Sequence, residues 1–258
     1  MINKPKIRVL DIETFPNIGY TWQKYEQNLL AYKQHGYMLS FAVKDLDDRR
    51  VTVRALPDYK GYKPGSSDDE ALVKDLWTWF DESDVIIAHN GNAFDVKKSY
   101  SAFLKHGLLP PRPTKFVDTK LVAKRVMRQD SNSLADLALF FGLGSKLRTG
   151  GINLWLDVEK GIKDAWKKMK KYNAHDVILL EMVYKKMLPY MNNHPNYNLL
   201  NGETRACPNC GSLNTQRRGY QMSRVTRSQR RQCNSCGAWS SAPLSSEERQ
   251  LEPKRILR

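Results

Sequence analysis

The stretch Val9-Leu10-Asp11-Ile12-Glu13-Thr14 constrains this chain most. Two carboxylates sit two residues apart, after an apolar run that includes Ile7, Val9 and Leu10. Side chains of a strand alternate between its faces, so a strand here sets Asp11 and Glu13 side by side on one face. Two like charges that close repel each other unless a cation lies between them or one keeps its proton. Taken alone, the pair also fits a solvated strand end. Its meaning depends on what the rest of the chain supplies.

The 258 residues suffice for one sizeable core plus a small module. With 41% hydrophobic and 27% charged residues, the composition is that of a soluble globular protein. No run of about 18 apolar residues suggests a membrane span. The opening Met1-Ile-Asn-Lys-Pro-Lys lacks the apolar stretch of a signal peptide, so a cytoplasmic location and no membrane partner are expected. The net charge is +15, and residues 203–258 carry 11 Lys and Arg against 4 Asp and Glu. That imbalance points to a polyanionic partner, nucleic acid ahead of a membrane surface.

Strands are expected over residues 6–13, 18–23, 37–44 and 51–56, an antiparallel meander with the acidic pair on its first strand. Ser67, followed by Asp68, Asp69 and Glu70, signals a helix over 69–81. A short apolar strand over 85–88 leads into His89-Asn90-Gly91-Asn92-Ala93-Phe94-Asp95, and a helix follows to about 106. Residues 115–119 read as a strand before a helix reaching about Met127, and Ser131-Asn-Ser-Leu134 starts another helix. Residues 145–156 read as irregular. Two helices are expected from about 158 to 171 and from about 172 to 190. Together this is an α/β sheet with helices on its faces over 1–190, then a linker over 191–203, a four-cysteine module over 204–240 and a tail over 241–258.

Asp95 stands where an apolar strand has ended and a helix begins, a preferred ligand position in open α/β sheets. A helix cap is the plainer role for such a residue. Tyr172 and Asp176 are four apart at the head of an apolar helix and share one face. Each of these residues alone has an ordinary structural explanation. Their order does not: Asp-Ile-Glu-Thr, then Asn-Ala-Phe-Asp some eighty residues on, then Tyr-Asn-Ala-His-Asp. This set resembles the DEDD superfamily of 3′→5′ exonucleases in its tyrosine branch, of the ribonuclease H-like fold, and is most similar to the proofreading domains of family B polymerases. The resemblance covers about residues 6–190. Val117-Asp118-Thr119 resembles the strand-to-helix step that follows the second motif. The sister branch carries a His five residues before the last Asp. Lys171 occupies that position here, and His175 matches neither branch.

The resemblance implies a ribonuclease H-like mixed sheet flanked by helices, and a two-metal phosphodiester hydrolase. Hard cations such as Mg²⁺ or Mn²⁺ favour carboxylate oxygens. A pair of them activates the attacking water and stabilises the leaving oxygen. By resemblance, Asp11, Glu13 and Asp176 hold the ion carrying the attacking water, Asp11 bridges to the second ion, and Asp95 supports it. Tyr172 orients the water. Asn92 and Phe94, with Asn90 beside them, are candidate contacts to the terminal nucleotide. Lys97, Lys98 and Lys146 could meet phosphate, with solvated surface as the default.

All four cysteines lie in the tail region, as Cys207-Pro-Asn-Cys210-Gly and Cys233-Asn-Ser-Cys236-Gly. Two such turns separated by 22 residues are a zinc signature, slightly wider than usual. Four thiolates close the coordination of one structural Zn²⁺ and leave no position for catalysis. A module this small needs the metal to fold. Arg205, Arg217, Arg218, Arg224, Arg227, Arg230 and Arg231 surround the pairs, and no Asp or Glu interrupts residues 204–246. Tyr220 and Trp239 could stack on bases. The expected whole is a 3′→5′ exonuclease for DNA 3′ ends, single-stranded ahead of duplex, with a zinc ribbon that grips nucleic acid. DNA stands ahead of RNA as substrate, and a replication or repair protein is a candidate partner. A structure-selective or RNA-directed nuclease on the same scaffold, or a non-catalytic nucleic-acid-binding protein, are the alternatives.

Overall fold

The computed structural model describes residues 5–25, 28–196, 199, 205–224 and 226–244. They fall into two compact units, Lys6–Tyr184 and the described residues from Lys185 onward together with Pro5. The expected tail from 245 to 258, and the linker at 197–198 and 200–203, lie outside the described residues.

The first unit is built on a five-stranded mixed sheet. Its strands are β1 (Ile7–Thr14), β4 (Met38–Asp45), β5 (Thr52–Ala55), β6 (Val85–Ala88) and β7 (Lys115–Asp118), in the order β5-β4-β1-β6-β7. β1 and β5 run antiparallel to β4, whereas β6 runs parallel to both β1 and β7. β1 pairs with β4 from Arg8 to Thr14, but with β6 only from Ile7 to Val9. The acidic half of β1 therefore extends past the end of β6. In open sheets the crevice beyond the carboxyl ends of parallel strands is where ligands bind. Leu10 and Ile12 point the other way, into the core with Phe41, Leu72, Leu76 and Phe80.

Helices α1 (Glu70–Asp81) and α2 (Asp95–Lys105) pack on each other, and α1 also packs on β4. Arg8 fixes α1 to β1, its guanidinium 4.4 Å from the Trp79 ring and bonded to the Trp79 carbonyl, Ser83 and Glu82. Two shorter helices, α3 (Thr119–Val126) and α4 (Leu134–Phe140), follow β7. Ser133 caps α4 by accepting from the Asp136 amide.

Three expectations are corrected here. The second strand is shorter than expected: β2 (Ile18–Tyr20) leaves the meander and pairs with an unforeseen β3 (Ala31–Gln34) in a sheet of its own. The stretch read as irregular contains α5 (Ile152–Glu159), which buries Leu154 and Val158. The two late helices are one, α6 (Lys163–Met187), 25 residues long. No Gly or Pro interrupts it, and Trp166, Met169, Asn173, Asp176, Leu180 and Tyr184 are all buried at spacings of three or four. The expected boundary between Lys171 and Tyr172 is absent: Asn173 points into the protein and is hydrogen-bonded there.

The second unit carries a three-stranded antiparallel sheet, with β8 (Thr215–Met222), β9 (Arg227–Cys233) and β10 (Trp239–Ala242) in the order β10-β9-β8. Within this unit the Asn209 side chain is buried and donates to the carbonyls of Leu188 and Met191, at 2.9 and 3.0 Å.

Lys44 on β4 and Glu181 on α6 form a 2.5 Å ion pair with side chains only 5% and 8% exposed. Glu181 also accepts from the Asp47 amide. Removing one partner leaves a charge buried without compensation. Glu181→Ala should therefore cost about 3–5 kcal/mol, while Lys44→Met with Glu181→Leu should recover most of it. Urea denaturation of the two variants checks this.

Candidate metal centres

The first centre grows from the strand register. Glu13 stands opposite Ser40 and Asp11 opposite Ala42, so α6 can lie across this face and bring Asp176 to the pair. One carboxylate oxygen from each of Asp11, Glu13 and Asp176 lies within 4.8 Å of the others. Asp176 is 1% exposed, and its Oδ1 is buried without a hydrogen-bond partner among the described residues. Buried acceptors are normally satisfied, so this oxygen suits a cation, and three converging carboxylates are the donor set of a hard divalent one. Asp95, at the start of α2, stays outside that trio. Its Oδ1 accepts from the Ile12 amide at 3.2 Å, between the two acidic residues of β1.

Crowding shows in the electrostatics. Burial, then the charges of Glu13, Asp95 and Asp176, push the Asp11 pKa well above the usual carboxylate range. Burial and Asp176 raise Glu13 to about 8, and burial raises Asp95 to about 7. Asp176 is raised by burial, with Lys146 pulling the other way. Without a cation, the cluster keeps protons.

Two supporting residues were undervalued or missed in the sequence. Lys146 is not simply solvated surface. Its Nζ lies 2.6 Å from Asp176 Oδ2 and 5.1 Å from the centre of the Tyr172 ring. Burial opposes its charge, but Asp176 and Tyr172 outweigh that and hold its pKa above the usual value. Asn173 was missed. It is fully buried, donates to Asp11 Oδ2 at 2.6 Å and to the Asp11 carbonyl at 3.2 Å, and accepts from Ser40 Oγ at 3.0 Å. Its place three residues before Asp176 put it on the same helix face, which was the signal available. His175 donates to the Ser145 carbonyl at 2.9 Å, beside Lys146, so it steadies that loop. Tyr172 stands against Trp155, ring centres 6.5 Å apart, and burial pushes its pKa up to about 12.

The segment joining β6 to α2 is held by Asp118, the last residue of β7. Asp118 accepts from the amides of Asn90 and Asn92, each at 3.0 Å, and caps α3 through Lys120 and Leu121. Asn90 takes a φ of 62°, and a Cβ on Gly91 would lie 2.5 Å from that of Ala88. Only Gly permits so close an approach. Asn92 and Phe94 are left exposed on this turn. His89 is a structural residue, between Thr119 Oγ1 and the Asn132 carbonyl, and burial lowers its pKa to about 4.

The second centre is the cysteine cluster. One sulfur from each of Cys207, Cys210, Cys233 and Cys236 lies within 4.8 Å of the others. Gly211 and Gly237 have φ values of 71° and 82°, and each amide returns to the carbonyl of the first cysteine of its pair. Both turns are closed the same way, which directs four sulfurs at one point. Burial raises Cys236 to about 11, whereas Cys233 is lowered to about 7: burial opposes its thiolate, but the Cys236 and Ser235 amides and neighbouring thiols favour it. Around this core the Arg227 guanidinium lies 4.5 Å from the Tyr220 ring centre, and that of Arg230 lies 5.3 Å from Trp239. Arg217 pairs across the ladder with Arg231, whose Nη1 donates to Thr215. Arg218 and Arg224 are exposed.

A family model for the RNase_H superfamily matches residues 24–188, well over half of the chain. The chain belongs to the RNase_H superfamily. The matched range begins after β1, so Asp11 and Glu13 precede it. No curated protein matches the sequence. Among solved structures, the family B DNA polymerase of the hyperthermophilic archaeon Pyrobaculum calidifontis is similar, with a TM-score of 0.49 and 16% identity over 86% of this chain and 31% of that one. This chain thus spans under a third of that polymerase. Superfamily membership and the acidic cluster together define a ribonuclease H-like domain whose Asp11, Glu13 and Asp176 could hold a metal ion.

The raised pKa values have a consequence for stability. Glu13 moves from 4.5 to about 8 and Asp95 from 3.8 to about 7, so the folded, metal-free chain binds more protons than the unfolded one between those limits. Stability contributed by these groups is present below about pH 4 and is lost as pH rises toward 8. Denaturation midpoints in metal-free buffer should fall from pH 5 to pH 8, and Mn²⁺ should restore most at pH 8. Asn173→Leu should weaken Mn²⁺ binding by about 10- to 100-fold in titration calorimetry, because Asp11 loses its orienting donor.

Proposed function

We propose that this protein is a metal-dependent 3′→5′ exonuclease that hydrolyses phosphodiester bonds at DNA 3′ ends, with single strands preferred. One observation supports this above the others. Asp11, Glu13 and Asp176 converge from a strand and a distant helix, with Asp95 behind them and Tyr172 beside them.

In this reading Asp11, Glu13 and Asp176 hold a divalent cation, Mg²⁺ or Mn²⁺, and Asp11 with Asp95 serves a second. Such ions, when bound, supply an activated water and stabilise the leaving oxygen. Asn173 keeps the Asp11 carboxylate turned toward the cluster. Tyr172, with its pKa near 12, stays a phenol at neutral pH. It orients the attacking water. Lys146 offsets part of the charge on Asp176. Asn92 and Phe94 contact the terminal nucleotide from the turn that Asp118 fixes.

The cysteine cluster holds one structural Zn²⁺ in this reading, since four thiolates complete a tetrahedral site. The module spans about residues 204–240 and follows the nuclease domain of 1–190 through a linker. Its arginines grip nucleic acid. Arg227 and Arg230, already lying over Tyr220 and Trp239, present planar cations with an aromatic backing.

A digestion series with end-labelled oligonucleotides tests the activity. Single-stranded DNA with a free 3′ end should shorten stepwise from that end with Mg²⁺ or Mn²⁺. Asp11→Ala and Asp176→Ala should abolish this, and persistent cleavage would refute the site. Tyr172→Phe should reduce kcat by about 10- to 1000-fold, in the range of a lost positioning donor, while Mn²⁺ affinity is retained. Cys207→Ser should lose bound zinc, measured by atomic absorption, and weaken DNA binding. Full zinc content in that variant would remove the cysteines from the metal site.

A further inference from the structure

The β2–β3 hairpin has no part in the five-stranded sheet and contributes little to the core. Yet it exposes four aromatic rings within 13 residues: Tyr20 at 60%, Trp22 at 83%, Tyr25 at 87% and Tyr32 at 55%. An exposed aromatic cluster of this density on a soluble domain marks a binding surface. We infer that this hairpin, with the groove at its base, is a single-strand path that delivers a nucleic-acid 3′ end to the carboxylate centre. The inference rests on the nuclease reading above and names the form of its substrate.

Three observations support it. First, polar side chains accompany the rings. Lys24 lies 5.7 Å from the Tyr25 ring centre, and the His35 ring packs on Tyr32 at 4.5 Å. Tyr32 stands opposite Gly19 in the ladder, and the Leu29 side chain lies over that glycine. Second, the hairpin is rooted beside the acidic strand. The Phe15 amide bonds to the Tyr37 carbonyl at 2.8 Å, and the Gly36 amide to Asn17 Oδ1 at 2.7 Å. Third, a groove of about 280 Å³ opens at this root, bounded by Thr14, Gly36 and Tyr37 on one side and by Lys97, Lys98 and Ser101 of α2 on the other. Thr14 directly follows Glu13, and Lys97 comes two residues after Asp95, so the groove borders both acidic segments along the chain, although none of the four carboxylates of the centre lines it. Its one acidic neighbour, Asp69, is already bonded to Lys105, His106 and the Met38 amide. Lys97 and Lys98 are exposed.

A lysine-edged groove suits phosphates, and exposed rings suit base faces. Only a single strand offers both, because a duplex hides the faces of its bases in the stack. Stacking of this kind tolerates any sequence and is lost ring by ring on truncation.

The test uses the full-length chain in magnesium-free buffer, with a fluorescent oligothymidylate of about 20 nucleotides and a blunt duplex of the same length. Trp22→Ala and Tyr32→Ala should each raise Kd for the single strand by about 5- to 100-fold, the range for one lost base stack. Trp22→Phe should stay within about threefold of the unaltered protein, since it keeps a ring. Lys97→Ala with Lys98→Ala should reduce the salt dependence of binding. Duplex binding and the thermal midpoint should be unchanged by Trp22→Ala. An unchanged single-strand Kd in both alanine variants overturns the inference, and so does an equal loss toward duplex. Loss of self-association or of binding to anionic vesicles, with oligonucleotide affinity intact, overturns it as well and gives the hairpin to another occupant. If the unaltered chain hydrolyses nothing while the binding pattern holds, the hairpin stands and the exonuclease reading falls.

Discussion

Asp11, Glu13, Asp95 and Asp176 place four ionisable carboxylates in surroundings largely removed from water. Burial raises the pKa of all four; Glu13, Asp95 and Asp176 add to it at Asp11, and Asp176 and Asp95 add to it at Glu13. The surrounding fold counters this repulsion at every point. The Ile12 amide donates to Asp95, Asn173 holds Asp11, and Lys146 sits on Asp176. What is left over is Asp176 Oδ1, buried without a hydrogen-bond partner among the described residues. Three converging carboxylates with one buried oxygen left open could hold a metal ion.

The architecture explains how this is possible without the protein coming apart. β1 is the shared element: one face feeds Leu10 and Ile12 into the core while the other carries the carboxylates. The short pairing of β1 with β6 opens the space that α6 crosses. α6 is itself secured by a buried ion pair to β4, one turn and more beyond Asp176. The cysteine module solves a similar problem differently. Its four sulfurs have few apolar neighbours, so local turns closed by Gly211 and Gly237 do the positioning that a large core does in the first unit.

The fold was readable where pattern and function coincide. Alternation at Asp11-Ile12-Glu13 set the two acids on one face, apolar periods marked Val85–Ala88 and most of the helices, and cysteine spacing set the ribbon cluster. Reading failed where polar residues are inward. The boundary expected at Lys171/Tyr172 is absent, and nothing in a sequence says that Asn173 meets Asp11 and Ser40 across the sheet. Lys146 looked like surface for the same reason: its partner Asp176 is 30 residues away.

The sequence by itself determined the chemical inventory: carboxylates in pairs and singles, four thiols in two turns, and an excess of arginine between them. These depend on residue type and short-range spacing, which the chain carries locally. The tertiary structure decided which acids meet. It set Asp95 behind the trio, turned Lys146 inward, and sent β2 out of the sheet to pair with β3. Those outcomes depend on register and on helix crossing, which are settled by packing between segments far apart in the chain.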